Sequence, residues 1–277
     1  MPLFRRGSSE PFDAVRFSSS WLFSPTVLCI LRATFSAYIF ACIITFLVMD
    51  GLKGGAGYFF SYFTDLTFFG LAFYFAFAAL HSGSYARTGT PLLARWPKFL
   101  QILHSLFYST ITIFPFLVTI VYWGIIFSGF ADRTGVWRNI SAHGLNSVFA
   151  LFEITFARTE KTPWLHIVPL ILILAGYLGV AYLTLHNSGF YVYDFLDETT
   201  HSKAIVAAYI LGVLAAIIII FVIVHFLIKF RRWLTEDKFG KRGRFSTPIA
   251  CTPNTMEKGV LRKQPDMAGH MAEHHAR

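Results

Sequence analysis

Apolar residues gather along this chain in six stretches that approach or exceed the ~20 residues needed to span a hydrocarbon core of ~30 Å. They cover residues 26–49, 60–81, 101–128, 139–157, 164–186 and 204–228. The fourth is the least apolar because Glu153 interrupts it. Even so, Arg138 and Arg158 bracket it at a separation that gives about 28 Å of helix at 1.5 Å per residue. The pattern predicts an all-α integral membrane protein, a bundle of six transmembrane helices over residues 26–228. An N-terminal segment at 1–25 precedes the bundle, and a basic, disordered tail at 229–277 follows it. The first stretch is too long for the apolar region of a signal peptide and begins only at residue 26, so it reads as a retained anchor.

Composition agrees with that reading. Of 277 residues, 55% are apolar and only 14% charged, against roughly a quarter charged in soluble domains. The formal net charge of +9 suggests nucleic acid at first sight. The basic residues, however, lie in short loops and the tail rather than along a folded face, which points to membrane orientation instead. Six spans place both termini on one side. That side carries fifteen Lys and Arg residues as far as Arg244, against four on the other (Lys53, Arg133, Arg138 and Lys203). Both termini are therefore expected in the cytosol. Cys29 and Cys42 fall inside the first stretch and Cys251 in the tail, so no disulfide framework is indicated.

With orientation assigned, polar residues sort by depth. Thr64 and His143 each lie about one turn inside the start of a separate apolar stretch, and His186 closes the fifth; all three fall near the non-cytosolic face. A hydroxyl and an imidazole at one depth have the makings of a nucleophile and its base. Each also has an ordinary reading. A membrane threonine usually bonds a backbone carbonyl one turn back, which applies to Thr64 and Thr67 alike, and a lone histidine near a helix end is commonly interfacial. The same interfacial reading covers His81, His104, His166 and His225 near the cytosolic face. Glu153 lies near the bilayer centre and needs a partner or a cavity, as a functional group or as a protonated donor between helices. Two other classes stay open: haem-mediated electron transfer, with His143 and His186 on one side and His81 and His104 on the other, and a transporter whose polar path includes Glu153. No metal-ligand spacing is recognisable.

The segments SYFTDL, AHGLNSVFALFEI and LHNSGFYVYDFLD resemble those of the androgen-induced and androgen-dependent membrane protein family over residues 26–228. The shared pattern is a threonine opening the second helix, then His-Gly opening the fourth with a glutamate ten residues after the histidine, then His-x-x-Gly-x-x-Val-Tyr-x-Phe-Leu closing the fifth. Those positions here are Thr64, His143, Gly144, Glu153, His186, Gly189, Val192, Tyr193, Phe195 and Leu196. The resemblance implies an intramembrane hydrolase of fatty acid esters of hydroxy fatty acids, with Thr64 as nucleophile, or Thr67 one turn on, and His143 as base. No cofactor, metal or nucleic acid enters that chemistry. The partners expected are membrane lipids and a lipid ester arriving laterally from the bilayer, in the endoplasmic reticulum or alternatively the plasma membrane. His186, Glu153 and Arg138 are candidates for substrate binding or oxyanion stabilisation, and Asp65 and Asp194 for orienting the histidine. Adjacent helical residues point about 100° apart, so Asp65 and Thr64 do not fully share a face.

Overall fold

The structure, a computed structural model, describes residues 12–130 and 132–241. A short helix α1 (Ala14–Ser18) leads into α2 (Pro25–Leu52). The Ser24 side chain accepts the Val27 N–H, and Pro25 occupies the first turn, where its missing N–H costs nothing. A 3-10 turn (Ala56–Ser61) leads to α3 (Phe63–Thr88), which Gly89 ends in a left-handed conformation. The next long helix, α4 (Lys98–Val121), continues as a π turn (Tyr122–Ile126). Then come α5 (Arg133–Ile140), a second π turn (Ser141–Leu145) and α6 (Asn146–Phe156) in one unbroken helical run. Two long helices complete the bundle, α7 (Ile167–Ser188) and α8 (Lys203–Arg232).

Among the described residues, five helices are long and apolar enough to cross a membrane: Pro25–Leu52, Phe63–Thr88, Lys98–Ile126, Trp164–Ser188 and Lys203–Lys238. They match five of the six expected stretches. The sixth, at 139–157, falls within the α5–α6 run. Its α-helical pieces are short, and Arg133, Arg138 and Glu153 dilute its apolar character. The last long helix also continues as a π turn to Lys238, past the boundary expected at Ile228. The remainder of the expected tail, with Cys251, lies outside the described residues.

The bundle is fastened by side chains that a hydropathy reading passes over. Arg32, in the second turn of α2, is wholly buried against the equally buried Glu153 of α6. Its Nε and Nη2 each donate to a different carboxylate oxygen at 2.7 Å, while Nη1 donates to the Phe17 carbonyl at 2.9 Å and to Ser82 Oγ at 2.6 Å. One guanidinium thus ties α2, α3, α6 and the segment from α1. Arg32 escapes notice in the sequence because apolar residues surround it. At the opposite end of α2, Asp50 accepts two hydrogen bonds from Arg138 of α5, at 2.6 and 2.8 Å. The two pairs lock α2 antiparallel to the α5–α6 run. Eighteen residues separate Arg32 from Asp50 and fifteen separate Arg138 from Glu153, about 27 and 22 Å of helix.

The segment before α2 is part of this body. Arg16 bonds Glu236 at 2.6 Å, and Trp21 Nε1 donates to the Thr155 carbonyl at 2.6 Å. Exposed Ile, Leu and Val side chains on α2, α7 and α8 face outward, as a lipid-facing surface requires.

Candidate functional site

The site lies where α3 begins, at the end of the bundle opposite α1. The amides of a helix's first turn have no partner inside the helix. Here the first one, Phe63 N–H, donates at 3.1 Å to the hydroxyl of Tyr193, in the loop after α7. The preceding residue in the 3-10 turn, Ser61, is held by α7 itself: Tyr177 donates to its carbonyl at 2.8 Å, and Thr184 Oγ1 to its hydroxyl at 3.0 Å. This scaffold fixes Thr64 as the second residue of α3, closer to the helix start than the sequence suggests.

Thr64 is only 9% exposed and borders an apolar pocket of about 210 Å³. Aliphatic side chains of α4, α7 and α8 make most of the wall, and the polar atoms come from Thr64, Tyr122, Tyr177 and Tyr193. The Tyr193 hydroxyl has the Thr64 and Tyr177 hydroxyls as hydrogen-bonding neighbours, and burial pushes its phenol above the ordinary range. It therefore stays protonated and able to donate. Thr67 donates back to the Thr64 carbonyl at 3.0 Å and is not part of the wall.

His143 sits in the π turn between α5 and α6. Such a turn disturbs the regular i to i−4 ladder, and the His143 carbonyl accepts from Thr119 Oγ1 at 2.7 Å and from Trp123 Nε1 at 3.0 Å. Its ring stacks flat on Tyr122, centroids 3.5 Å apart and planes 4° from parallel. Nδ1 is buried without a hydrogen-bond partner among the described residues. Tyr122 borders the pocket, so His143 backs directly onto its wall. Among the described residues no hydrogen bond joins His143 to Thr64.

The remaining candidates fall elsewhere. Glu153 is committed to Arg32, deep in the bundle. Arg138 is paired with Asp50 and lies over the Phe46 ring at 4.9 Å. Asp65 is 5% exposed and feels the charges of Arg138 and Asp50, which makes it a neighbour of that pair rather than of the histidine. His186 and Asp194 are exposed and border no part of the pocket. Of the residues marked out in the sequence, Thr64 and His143 are therefore brought to the pocket or its wall, and the others are not. Tyr177 and Tyr193 were not assigned roles from sequence, although Tyr193 belongs to the pattern that closes the fifth stretch; Tyr177, midway along α7, carried no signal.

Among the described residues, no three His, Cys, Asp or Glu side chains gather to hold a metal ion. His81 and His104 do meet, their ring centroids 5.0 Å apart and planes at 83°. That is edge-to-face contact, which leaves no space for a porphyrin between the rings.

This arrangement defines a class: an all-helical integral membrane protein with an apolar pocket that carries a few hydroxyls at one end. Comparison with protein-family models, curated proteins and solved structures gives no match for this chain.

Proposed function

We propose that this protein is an intramembrane lipid esterase that cleaves fatty acid esters of hydroxy fatty acids, with Thr64 as nucleophile and His143 as base. The observation that carries the reading is that Thr64 is the only aliphatic hydroxyl among the residues bordering the apolar pocket. An acyl chain lying among the aliphatic side chains would bring its ester carbonyl to that hydroxyl. The resemblance of the sequence segments assigns Thr64 and His143 the same roles.

In the reaction, Thr64 Oγ1 attacks the ester carbon while an imidazole nitrogen takes its proton. The base must come within about 2.6–3.2 Å of the hydroxyl, and catalytic hydrogen bonds are often looser before substrate binds. In this reading His143 reaches that range by turning from its stack on Tyr122, and among the described residues its buried Nδ1 has no hydrogen bond to give up. The C–O bond to the alcohol then breaks, and the imidazolium returns the proton to the departing alkoxide. Water, deprotonated by the same imidazole, releases the acid from acyl-Thr64. The Tyr193 hydroxyl, a neutral donor beside Thr64, is placed to meet the developing oxyanion.

The membrane frame of this reading is six crossings, both termini in the cytosol, in the endoplasmic reticulum. Support for the sixth crossing comes from the Arg32–Glu153 and Asp50–Arg138 pairs, which hold the α5–α6 run alongside the spanning helix α2 over most of its length.

The test is hydrolysis of a panel of lipid esters by the purified protein in lipid nanodiscs. Thr64→Ala and His143→Ala should each lower turnover by about 10² or more, with thermal unfolding unchanged. Covalent labelling by an activated phosphonate should map to Thr64. Wild-type turnover in both variants would overturn the mechanism.

A further inference from the structure

A second apolar groove lies on the outside of the bundle, between the end of α4 and the first half of α8. It measures about 470 Å³ and shares Val121 and Val213 with the Thr64 pocket, so the two spaces meet at a common wall. Its α8 side is formed by residues 205, 208, 209, 212, 213 and 216, one face of the helix at helical spacing. Small residues at three of these positions, Ala208, Gly212 and Ala216, leave the depression open to the lipid-facing surface.

The Thr64 pocket alone, at about 210 Å³, is below the ~300–1,000 Å³ typical of sites for drug-sized ligands. Joined to the groove it falls within that range. We propose that the α4–α8 groove is the acyl-chain subsite and bilayer portal of the Thr64 pocket. It takes one hydrocarbon chain of a membrane-dissolved ester, and the ester end passes Val121 and Val213 to reach Thr64. Adjacency to the pocket across the shared residues Val121 and Val213 is what singles out a lipid chain as the occupant. An almost wholly apolar lining, Tyr209 apart, offers a partner no polar feature to recognise, and the groove runs about 16 Å along α8 from the end where Thr64 lies.

Gly212 gives a clean probe. A Cβ built there meets no atom within 4 Å, so the first atom of a larger side chain is accommodated. Replacing a helical glycine also favours the helix. A chain that leaves the groove enters lipid of the same polarity, so the groove holds it by packing and shape. Gly212→Trp takes up that space and is expected to lower occupancy severalfold.

The experiment uses the full chain in nanodiscs containing a fatty acid ester with a diazirine in its acyl chain, photolysed and mapped by peptide mass spectrometry. Label should concentrate on the segments around Val121 and Gly212, and Gly212→Trp should cut it severalfold. Leu211→Trp, exposed on another face of the same helix and outside the groove lining, should not. Label spread evenly over all lipid-facing helices, or unchanged by Gly212→Trp, overturns the proposal. So does a Gly212→Trp protein that turns from dimer to monomer by light scattering, since a second copy would then be the occupant. The subsite's catalytic purpose rests on the esterase reading. If the wild-type protein hydrolyses no ester, that reading fails, while the labelling still decides whether the groove holds an acyl chain. If it does hydrolyse them, Gly212→Trp should lower the ratio of long-chain to short-chain kcat/KM severalfold.

Discussion

Glu153 shows how one residue can invite a functional reading and hold a structural position. From sequence it is an ionisable group near the centre of an apolar stretch, a placement that calls for a partner or a cavity. The partner is Arg32, and both side chains are fully enclosed. Removing one member of such a pair strands the other charge, typically at about 3–5 kcal/mol, whereas replacing both with apolar groups of similar size is often neutral. Glu153→Gln or Arg32→Met should therefore lower the thermal unfolding temperature in detergent sharply, and the Arg32→Met/Glu153→Leu double variant should recover most of the loss. A polar path through Glu153 predicts the reverse: stable single variants with lost transport. Thr64 was legible because its environment is local, a hydroxyl at the opening of an apolar helix. Arg32 was not, because its significance lies in a partner 121 positions away.

At the level of elements, the helices were legible where composition alone makes them and obscure where geometry intervenes. Long apolar runs gave α2, α3, α4, α7 and α8 to within a few residues at most ends. The π turns at Tyr122–Ile126 and Ser141–Leu145 left no mark on the hydropathy pattern, yet one carries Tyr122 and the other His143, the two rings that stack at the pocket wall. The turn holding His143 is clasped by α4: Thr119 donates to the His143 carbonyl, and its hydroxyl also lies 2.6 Å from Ser147 Oγ. Thr119→Val keeps the shape and removes this clasp. Interhelical hydrogen bonds in membranes average about 0.6 kcal/mol and reach about 1.7, so the variant should unfold only slightly earlier. Its ester turnover should fall further than its stability if the clasp sets the position of the base. Equal turnover in Thr119→Val and wild type would show that the π turn and the Trp123 hydrogen bond keep His143 in place without it.

The whole molecule turns on whether the α5–α6 run crosses the bilayer, because that crossing decides whether the two termini share a side; the two spans between Thr64 and His143, α3 and α4, return the chain to one face in either case. Hydropathy is ambiguous here for a physical reason: the charges that make the run look polar, Arg138 and Glu153, are neutralised by Asp50 and Arg32 of α2. A helix whose charges are paired within the protein presents less polarity to lipid than its sequence suggests. The spacing of the two pairs also constrains depth. Glu153 meets α2 near its start and Arg138 meets it near its end, so the run follows α2 over about 22 Å and cannot lie along the membrane surface if α2 crosses. Single cysteines at the exposed positions Lys53, Arg87, Arg133, Lys161 and Glu198, in a background without the native cysteines, test this with an impermeant maleimide on sealed vesicles. Positions 53, 133 and 198 should label from one side and 87 and 161 from the other. Labelling of 133 and 161 from the same side would remove the fourth crossing, and with it the assignment of the termini to one compartment. Labelling of 53 and 133 from the same side would place the histidine end of the run at the same face as the start of α3, where Thr64 meets the pocket.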